Sequence, residues 1–487
     1  MTRKFNDQEI IRRNKLKELQ EQNKDPFTIE SVKRTCSLAE FCKENKNIKK
    51  HGTKQYTLAG RVLAIRQTFG KIVDFGGSLQ FYINKNKVPK SVFEYFKKYL
   101  DIGDIVELKG TAFKTQKGEL TIDIKKIRIV SKALKPLPEK WHGLQDEELR
   151  ARHRYVDLIM NKESMDTFII RSLILRYLRH YFDGQDYFEV ETPVLNPKLG
   201  GAAARPFITN HNTLKRDYFL RVATELPLKK LIVGGFEKVY EIGRLFRNEG
   251  MDATHNPEFT SIEGYAAYAS MEDVMKTVEN TFKFLAKKLK KETVTIDGQK
   301  IYLTKKFKVV HMVDFVKEVV KVDFDKITTI KDALEAAKKH NIKVEKHQRS
   351  IGHILNLFFE EFCEEKCIQP TFVWGHPIEI SPLAKKDYSR EGYTRRFELF
   401  INKKEYANAF AELNDPIDQL ERFEEQAREK ELGNDEANDI DMDFVEALEY
   451  AMPPTGGFGI GIDRLVMLFA EKTSIRDVLL FPHMKDK

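Results

Sequence analysis

Residues 236–247 and 259–268 are two β-favouring runs joined by one polar, glycine-containing loop, and no other stretch constrains the fold as much. The first run reads Tyr240-Glu241-Ile242-Gly243-Arg244-Leu245-Phe246-Arg247 and continues into Asn248-Glu249-Gly250. The loop passes Thr254-His255-Asn256-Pro257-Glu258-Phe259, and the second run returns to Glu263-Gly264-Tyr265. The spacing predicts an antiparallel hairpin with Arg244, Arg247, Glu249, His255 and Glu263 around its loop. Guanidiniums and an imidazole grip a polyanion, and nearby carboxylates hold a cation or an amine. Such a set suits a nucleotide phosphate beside an amino-acid substrate.

Further antiparallel strands are expected at Tyr187–Glu191, Phe219–Arg221, Phe372–Trp374, Arg395–Ile401 and Tyr406–Leu413. Helical periodicity marks 163–182, 271–290 and roughly 328–363. Strands in antiparallel succession with helices around them give an α+β class and exclude a parallel dinucleotide-binding sheet. Upstream, residues 55–130 alternate as three strands, a short helix and two strands, the element order of an OB-fold barrel. The expected domains are an N-terminal helical segment over 1–54, the OB-fold over 55–134, a linker over 135–145 and a catalytic domain over 146–487. A mostly helical insertion is expected within the last, near 271–365.

A chain of 487 residues exceeds one core, and 41% hydrophobic content with 34 Phe supports large ones. No run of about 18 apolar residues occurs, and no apolar segment follows the basic N-terminus, so neither a membrane span nor a secretory signal is expected. Four Cys give no disulfide framework and read as reduced structural thiols, consistent with a cytoplasmic setting. Residues 1–135 hold 30 Lys and Arg against 15 Asp and Glu, a net of +15, while the remainder nets −6. A basic module joined to an acidic one points to a polyanion docking on the N-terminal part. The helix expected over 3–22, with Arg3, Lys4, Arg12, Arg13, Lys15 and Lys17, reads equally as a nucleic-acid contact or as a surface helix packed on its neighbour.

Three motifs carry a resemblance. Arg244-Leu-Phe-Arg-Asn-Glu-Gly with His255-Asn-Pro-Glu-Phe resembles motif 2 of the class II aminoacyl-tRNA synthetases. Glu191-Thr192-Pro193 after a long helical run resembles motif 1, and Gly457-Phe-Gly-Ile-Gly-Ile-Asp463-Arg464 resembles motif 3. The run Asn408-Ala-Phe410-Ala-Glu412-Leu-Asn-Asp-Pro narrows the resemblance to the lysyl branch of that class.

The resemblance implies an ATP- and magnesium-dependent activation of lysine, transfer to the 3′ ribose of tRNA-Lys, and a homodimer through motif 1. It implies that Arg247 bridges the α-phosphate and the amino-acid carboxylate. Glu249 would lie on the adenine side and His255 on the outer phosphates, with Phe259 and Arg464 sandwiching the adenine. Glu398 and Glu405 resemble the magnesium ligands. Gly201 and Glu225 would take the α-amino group. Glu263, Tyr265 and Glu412 would take the ε-amino end, with Asn408 near the carboxylate and Phe410 on the stem. In the barrel, Glu119 is the candidate base reader, with Arg66 and Gln80 in support and Phe75 stacking.

Two departures stand out. The stretch from Phe69 to Gly77 is several residues shorter than the family's second barrel strand usually is. Thr224 precedes Glu225, where the family generally has Pro. Alternative readings are an aspartate or asparagine enzyme, an adenylate-forming enzyme that modifies a protein, and an inactive RNA-binding protein.

Overall fold

The computed structural model describes residues 4–138, 146–202, 204–434 and 440–485, and the chain divides into units Met1–Gln145 and Asp146–Lys487. Arg3 and positions 139–145 of the expected linker lie outside the described residues.

The first unit begins with α1 (Asp7–Glu21), started by a capping box between Asn6 and Glu9. After α2 (Leu38–Glu44) come β1 (His51–Arg66), β2 (Phe69–Asp74), β3 (Gly77–Tyr82), α3 (Lys90–Tyr99), β4 (Ile105–Lys114) and β5 (Leu120–Ser131). The strands close a barrel in the order β1-β2-β3-β5-β4, as an OB-fold does. Alternation sends Leu58, Val62, Ile72, Leu79, Phe81, Leu108, Ile122 and Ile124 inward, all buried. The N-terminal helices are part of this unit rather than a separate segment: Leu19, Leu38 and Phe41 belong to the barrel's own core. Arg12 Nη1 donates to the carbonyls of Ile102 and Ala133 at 3.0 and 2.9 Å, and Lys15 pairs with Asp101 at 2.7 Å. Those cations hold α1 on the barrel.

The second unit opens with α4 (Glu147–Arg152), α5 (Arg154–Met160) and α6 (Lys162–Asp183), then β6 (Phe188–Glu189), β7 (Leu195–Asn196), β8 (Ile208–His211), β9 (Arg216–Leu220) and α7 (Glu225–Val233). The hairpin is β10 (Lys238–Phe246) with β11 (Glu258–Ala267). Next come α8 (Met271–Leu289), β12 (Thr293–Ile296), β13 (Gln299–Tyr302), β14 (Lys308–His311), α9 (Met312–Val320), α10 (Ile330–Lys339) and α11 (Ile351–Phe362). The unit finishes with β15 (Thr371–Trp374), β16 (Arg396–Ile401), β17 (Lys404–Ala411), α12 (Pro416–Glu431), α13 (Met442–Glu449), β18 (Thr455–Gly461) and α14 (Ile462–Ala470).

Eight strands form one sheet in the order β14-β15-β16-β17-β18-β11-β10-β6. Its inner pairs are antiparallel; β14 joins β15, and β6 joins β10, in parallel. One face is covered by α6, α8 and α14, through Ile174, Leu178, Phe182, Val278, Phe282, Leu465 and Leu468. The 271–365 stretch is mostly helical but is not set apart from the sheet and its core. Its helix α8 belongs to the main core, and it contributes a hairpin, β12–β13, and the edge strand β14. The opposite face carries α9 and α11 at one end and α7 and α13 at the other, with a cavity between.

Candidate active site

The cavity measures about 620 Å³. Strand alternation decides which side chains reach it. On β11, Phe259, Ser261, Glu263 and Tyr265 face it, while Ile262 enters the core. Leu245 of β10 and Arg247, just after the strand ends, face it. Arg244, expected beside Arg247, does not line it and instead meets Glu258 at 3.4 Å. On β18, Gly457, Gly459 and Gly461 face the cavity and Phe458 and Ile460 face the core.

Strand β17 needs a bulge. Leu399 pairs with Ala407, but the next residue, Phe400, pairs with Glu405, so Tyr406 is extra. Strict alternation would put Glu405 on the same face as Ala407 and Ala409, in the core. The extra residue returns Glu405 to the cavity with Asn408 and Phe410.

One end of the cavity is acidic. Glu225, Glu263 and Glu412 are all buried there beside Tyr265 and Phe410. Burial pushes the Glu263 carboxyl up to about 7; Glu225 adds to the rise and a hydrogen bond from Thr224 opposes it. Burial likewise raises Glu412, against the pull of Lys229, and keeps Tyr265 neutral. Glu412 Oε1 accepts no hydrogen bond among the described residues. The Thr224 N–H donates to Glu263 Oε1 at 3.3 Å, a donor that Pro at this position would lack. Gly201, at φ +90°, lies over Ala223 and Glu225.

The other end is basic. Arg247 lies 5.2 Å from the Phe259 ring centroid, and its buried Nε has no hydrogen-bond partner among the described residues. Arg464 Nη1 donates to the Glu405 carbonyl at 2.6 Å. His255 Nδ1 lies 2.7 Å from Asp252 Oδ2, and its Nε2 lies 3.5 Å from Arg464 Nη2. Glu249 lines the same end. Asp463, one residue before Arg464, ties the three sequence motifs together. It accepts from Arg171 of α6 at 2.5 Å and from the Thr260 N–H of β11 at 2.7 Å.

Between the two ends stand Glu398 and Glu405. Against the desolvation of burial, His376 and Arg396 hold Glu398 down at about 2. Burial and the Glu398 charge raise Glu405. Arg396 also donates to Asn408 Oδ1 at 3.0 Å, fixing that amide. Two converging carboxylates that repel one another, with oxygen as the only donor, fit a hard divalent cation shared with phosphate oxygens. Cys363 and Cys367 are buried thiols pushed up to about 12 by burial, in keeping with structural roles.

In the barrel, Glu119 is exposed in the β4–β5 turn, Arg66 is exposed at the end of β1, and Gln80 accepts from the Thr121 hydroxyl at 3.1 Å. Phe75 is 81% exposed in the β2–β3 turn. Sequence reasoning passed over an aromatic row: Phe69 and Tyr82 lie 4.5 Å apart, Tyr82 and Phe113 5.8 Å, Phe113 and His51 5.5 Å. Gln80 and Tyr82 sit two apart on β3 and so share its outward face. The signal was available, because Phe69 and Tyr82 are paired strand positions.

An OB-fold followed by a mainly antiparallel sheet whose motifs 2 and 3 line one cavity, with motif 1 tied to them through Arg171 and Thr192, defines a class II aminoacyl-tRNA synthetase. Residues 146–485 match the family tRNA synthetases class II (D, K and N), and residues 56–130 match the OB-fold nucleic acid binding domain. The chain is 68% identical to the lysine–tRNA ligase of Malacoplasma penetrans, over the whole of both chains. It is 58% identical to that of Ureaplasma urealyticum, again over the whole of both, and 55% identical to that of Lactococcus lactis, over 99% of each. The chain belongs to the class II tRNA synthetases and, within them, to the lysine–tRNA ligases.

Proposed function

We propose that the acidic end of the cavity holds lysine and the basic end holds ATP, so that lysyl-adenylate forms between them. The observation that carries this is the pairing in one cavity of three buried carboxylates with an Arg247 Nε that lacks a partner among the described residues. Glu225 takes the α-ammonium. Glu263, Tyr265 and Glu412 take the ε-ammonium, and Phe410 lies along the stem. Arg247 orients the lysine carboxylate towards the α-phosphorus. A carboxylate oxygen forms the new P–O bond as the bond to pyrophosphate breaks. No side-chain nucleophile is needed; positioning and charge stabilisation carry the step. Arg464 and Phe259 flank the adenine, with Glu249 on its amino edge and His255 at the outer phosphates. Glu398 and Glu405 would hold magnesium, which neutralises phosphate charge when bound.

In the second step the 3′-hydroxyl of tRNA-Lys attacks the lysyl carbonyl and AMP leaves. In the barrel, Glu119, Arg66 and Gln80 read the anticodon. The half-buried row of Phe69 and Tyr82 offers the main stacking surface for its bases, with the exposed Phe75 at the turn as a minor one. A homodimer through motif 1 fits the apolar surface left by Phe188, Leu195 and Ile208, which are 63, 44 and 61% exposed. Among the described residues no helix is long and apolar enough to cross a membrane.

Amino-acid-dependent pyrophosphate exchange, run with each of the twenty amino acids, tests the reading. Exchange with lysine alone is expected. Exchange with aspartate or asparagine, or none, overturns it. Transfer to tRNA then separates a tRNA ligase from an enzyme that modifies protein.

A further inference from the structure

A lysine side chain of the protein itself already sits against the acidic end. Lys229 lies four residues after Glu225 on α7 and is fully buried. Its Nζ meets Glu225 Oε1 at 2.5 Å and also contacts Glu412 Oε2. The rings of Phe410 and Phe444 lie 5.2 and 5.9 Å from it. Glu225, Glu412 and Phe410 line the cavity, whereas Lys229 does not. It stands behind the two carboxylates, on the protein side.

A buried ammonium against buried carboxylates is costly to assemble and strongly destabilising to break, so its presence beside the substrate cavity calls for a reason. Charge supplies one. Glu225, Glu263 and Glu412 can carry three negative charges at this end. Free lysine brings two ammonium groups, and its carboxylate is directed to Arg247 at the other end. With one resident ammonium the count balances at three against three; without it, one carboxylate is left over.

We infer that Lys229 is a positioning residue that sets the charge and geometry of the amino-acid pocket. It offsets part of the negative charge of Glu225 and Glu412 and pins one oxygen of each on the protein side, so that a substrate with two ammonium groups completes the pocket. An amino acid with a neutral side chain leaves a buried carboxylate unpaired and is rejected. The inference rests on the lysine site proposed above.

The other groups facing this cluster are accounted for. On β11, Tyr265 is neutral and Glu263 accepts from Thr224. On α13, Asp443 is taken by Lys230, on the exposed side of α7. Just after β10, Arg247 acts on Glu263 only as a stabilising charge.

The test uses the full-length protein carrying Lys229→Gln, which keeps a hydrogen-bond donor and removes the charge. In the empty pocket of this variant the carboxylate cluster as a whole holds more proton than in the parent, and lysine binding has to expel it. Titration calorimetry with lysine at pH 7.5, in two buffers of different ionisation enthalpy, counts that proton. The expected result is roughly one proton more than the parent releases. In pyrophosphate exchange the lysine KM rises about tenfold or more while the ATP KM stays within about twofold. An unchanged proton count overturns the inference, whether the two KM values stay put or rise together. If Lys229→Gln yields no folded protein, Lys229→Met is measured in the same way, and failure of both to fold overturns the inference in favour of a purely structural ion pair. Absence of lysine-dependent exchange in the parent would instead remove the lysine site itself.

Discussion

A Cβ at residue 457 would stand 2.1 Å from Glu412 Oε1 and 2.4 Å from the Tyr265 ring, so Gly457 and Glu412 occupy one shared space. The glycines of motif 3 are therefore not a flexible loop. They are alternate residues of β18, and the first leaves room for a carboxylate and a phenol ring. Gly457→Ala is expected to displace Glu412. Overpacking of this kind costs about 1–3 kcal/mol, which corresponds to a lysine KM roughly 5- to 150-fold higher at a nearly constant ATP KM. Equal rises in both would mean that the strand as a whole had moved.

Glu263 gives a pH dependence with a definite sign. Its carboxyl is pushed up to about 7 by burial and by Glu225, so it is ionised above that pH and neutral below it. The ε-ammonium needs the ionised form. Lysine KM is expected to rise about tenfold between pH 8 and pH 6, with the ATP KM flat. Thr224→Pro removes the N–H that donates to Glu263 and should move the midpoint to higher pH. The pH profile of lysine KM in pyrophosphate exchange measures both, and a profile unmoved by Thr224→Pro would take that N–H out of the tuning.

Much of this was legible in the sequence. The two runs of the hairpin appear as β10 and β11, and Glu398 and Glu405 fall on adjacent strands, as their spacing implied. Three features were not legible, each for a physical reason. Strand β18 was hidden because glycine has low β-propensity and its pattern shows only at Phe458 and Ile460. The bulge at Tyr406 inverts alternation without a sequence signal, yet it decides which face Glu405 joins. Lys229 drew no notice in the sequence, because one of its two partners, Glu412, is distant in the chain.

Arg221 and Glu241 form a buried pair at 2.5 Å that joins the hairpin to motif 1. Arg221 Nε also donates to the Arg244 carbonyl and its Nη1 to the Thr192 carbonyl; Glu241 Oε2 accepts from the Thr192 hydroxyl at 2.7 Å. Both side chains are 5% exposed, so removing one partner strands a buried charge. Arg221→Met is expected to lower the unfolding free energy by about 3–5 kcal/mol. Replacing the pair together, as Arg221→Met with Glu241→Gln, should recover part of that loss. Denaturant unfolding of the three proteins measures it, and additive losses in the double variant would show that the two side chains act independently.

The aromatic row in the barrel separates two sites for base stacking. Phe69 and Phe75 lie at opposite ends of β2, the first beside Tyr82 and the second in the turn to β3. Phe69 shares its face with Lys71, Gln80 and Tyr82, which gives a stacked base polar neighbours as well as a ring. Phe75, though far more exposed, has no aromatic neighbour among the described residues. Stacking of one base on an aromatic side chain contributes about 1–3 kcal/mol. Phe69→Ala is expected to raise the tRNA KM for charging by roughly 5- to 150-fold, while Phe75→Ala changes it by less than about threefold. Glu119→Ala should also weaken charging, and all three variants should leave lysine-dependent pyrophosphate exchange at the parent rate. A large effect of Phe75→Ala with none from Phe69→Ala would return the stacking role to the turn. A parallel loss of exchange in the Glu119 variant would make that residue structural.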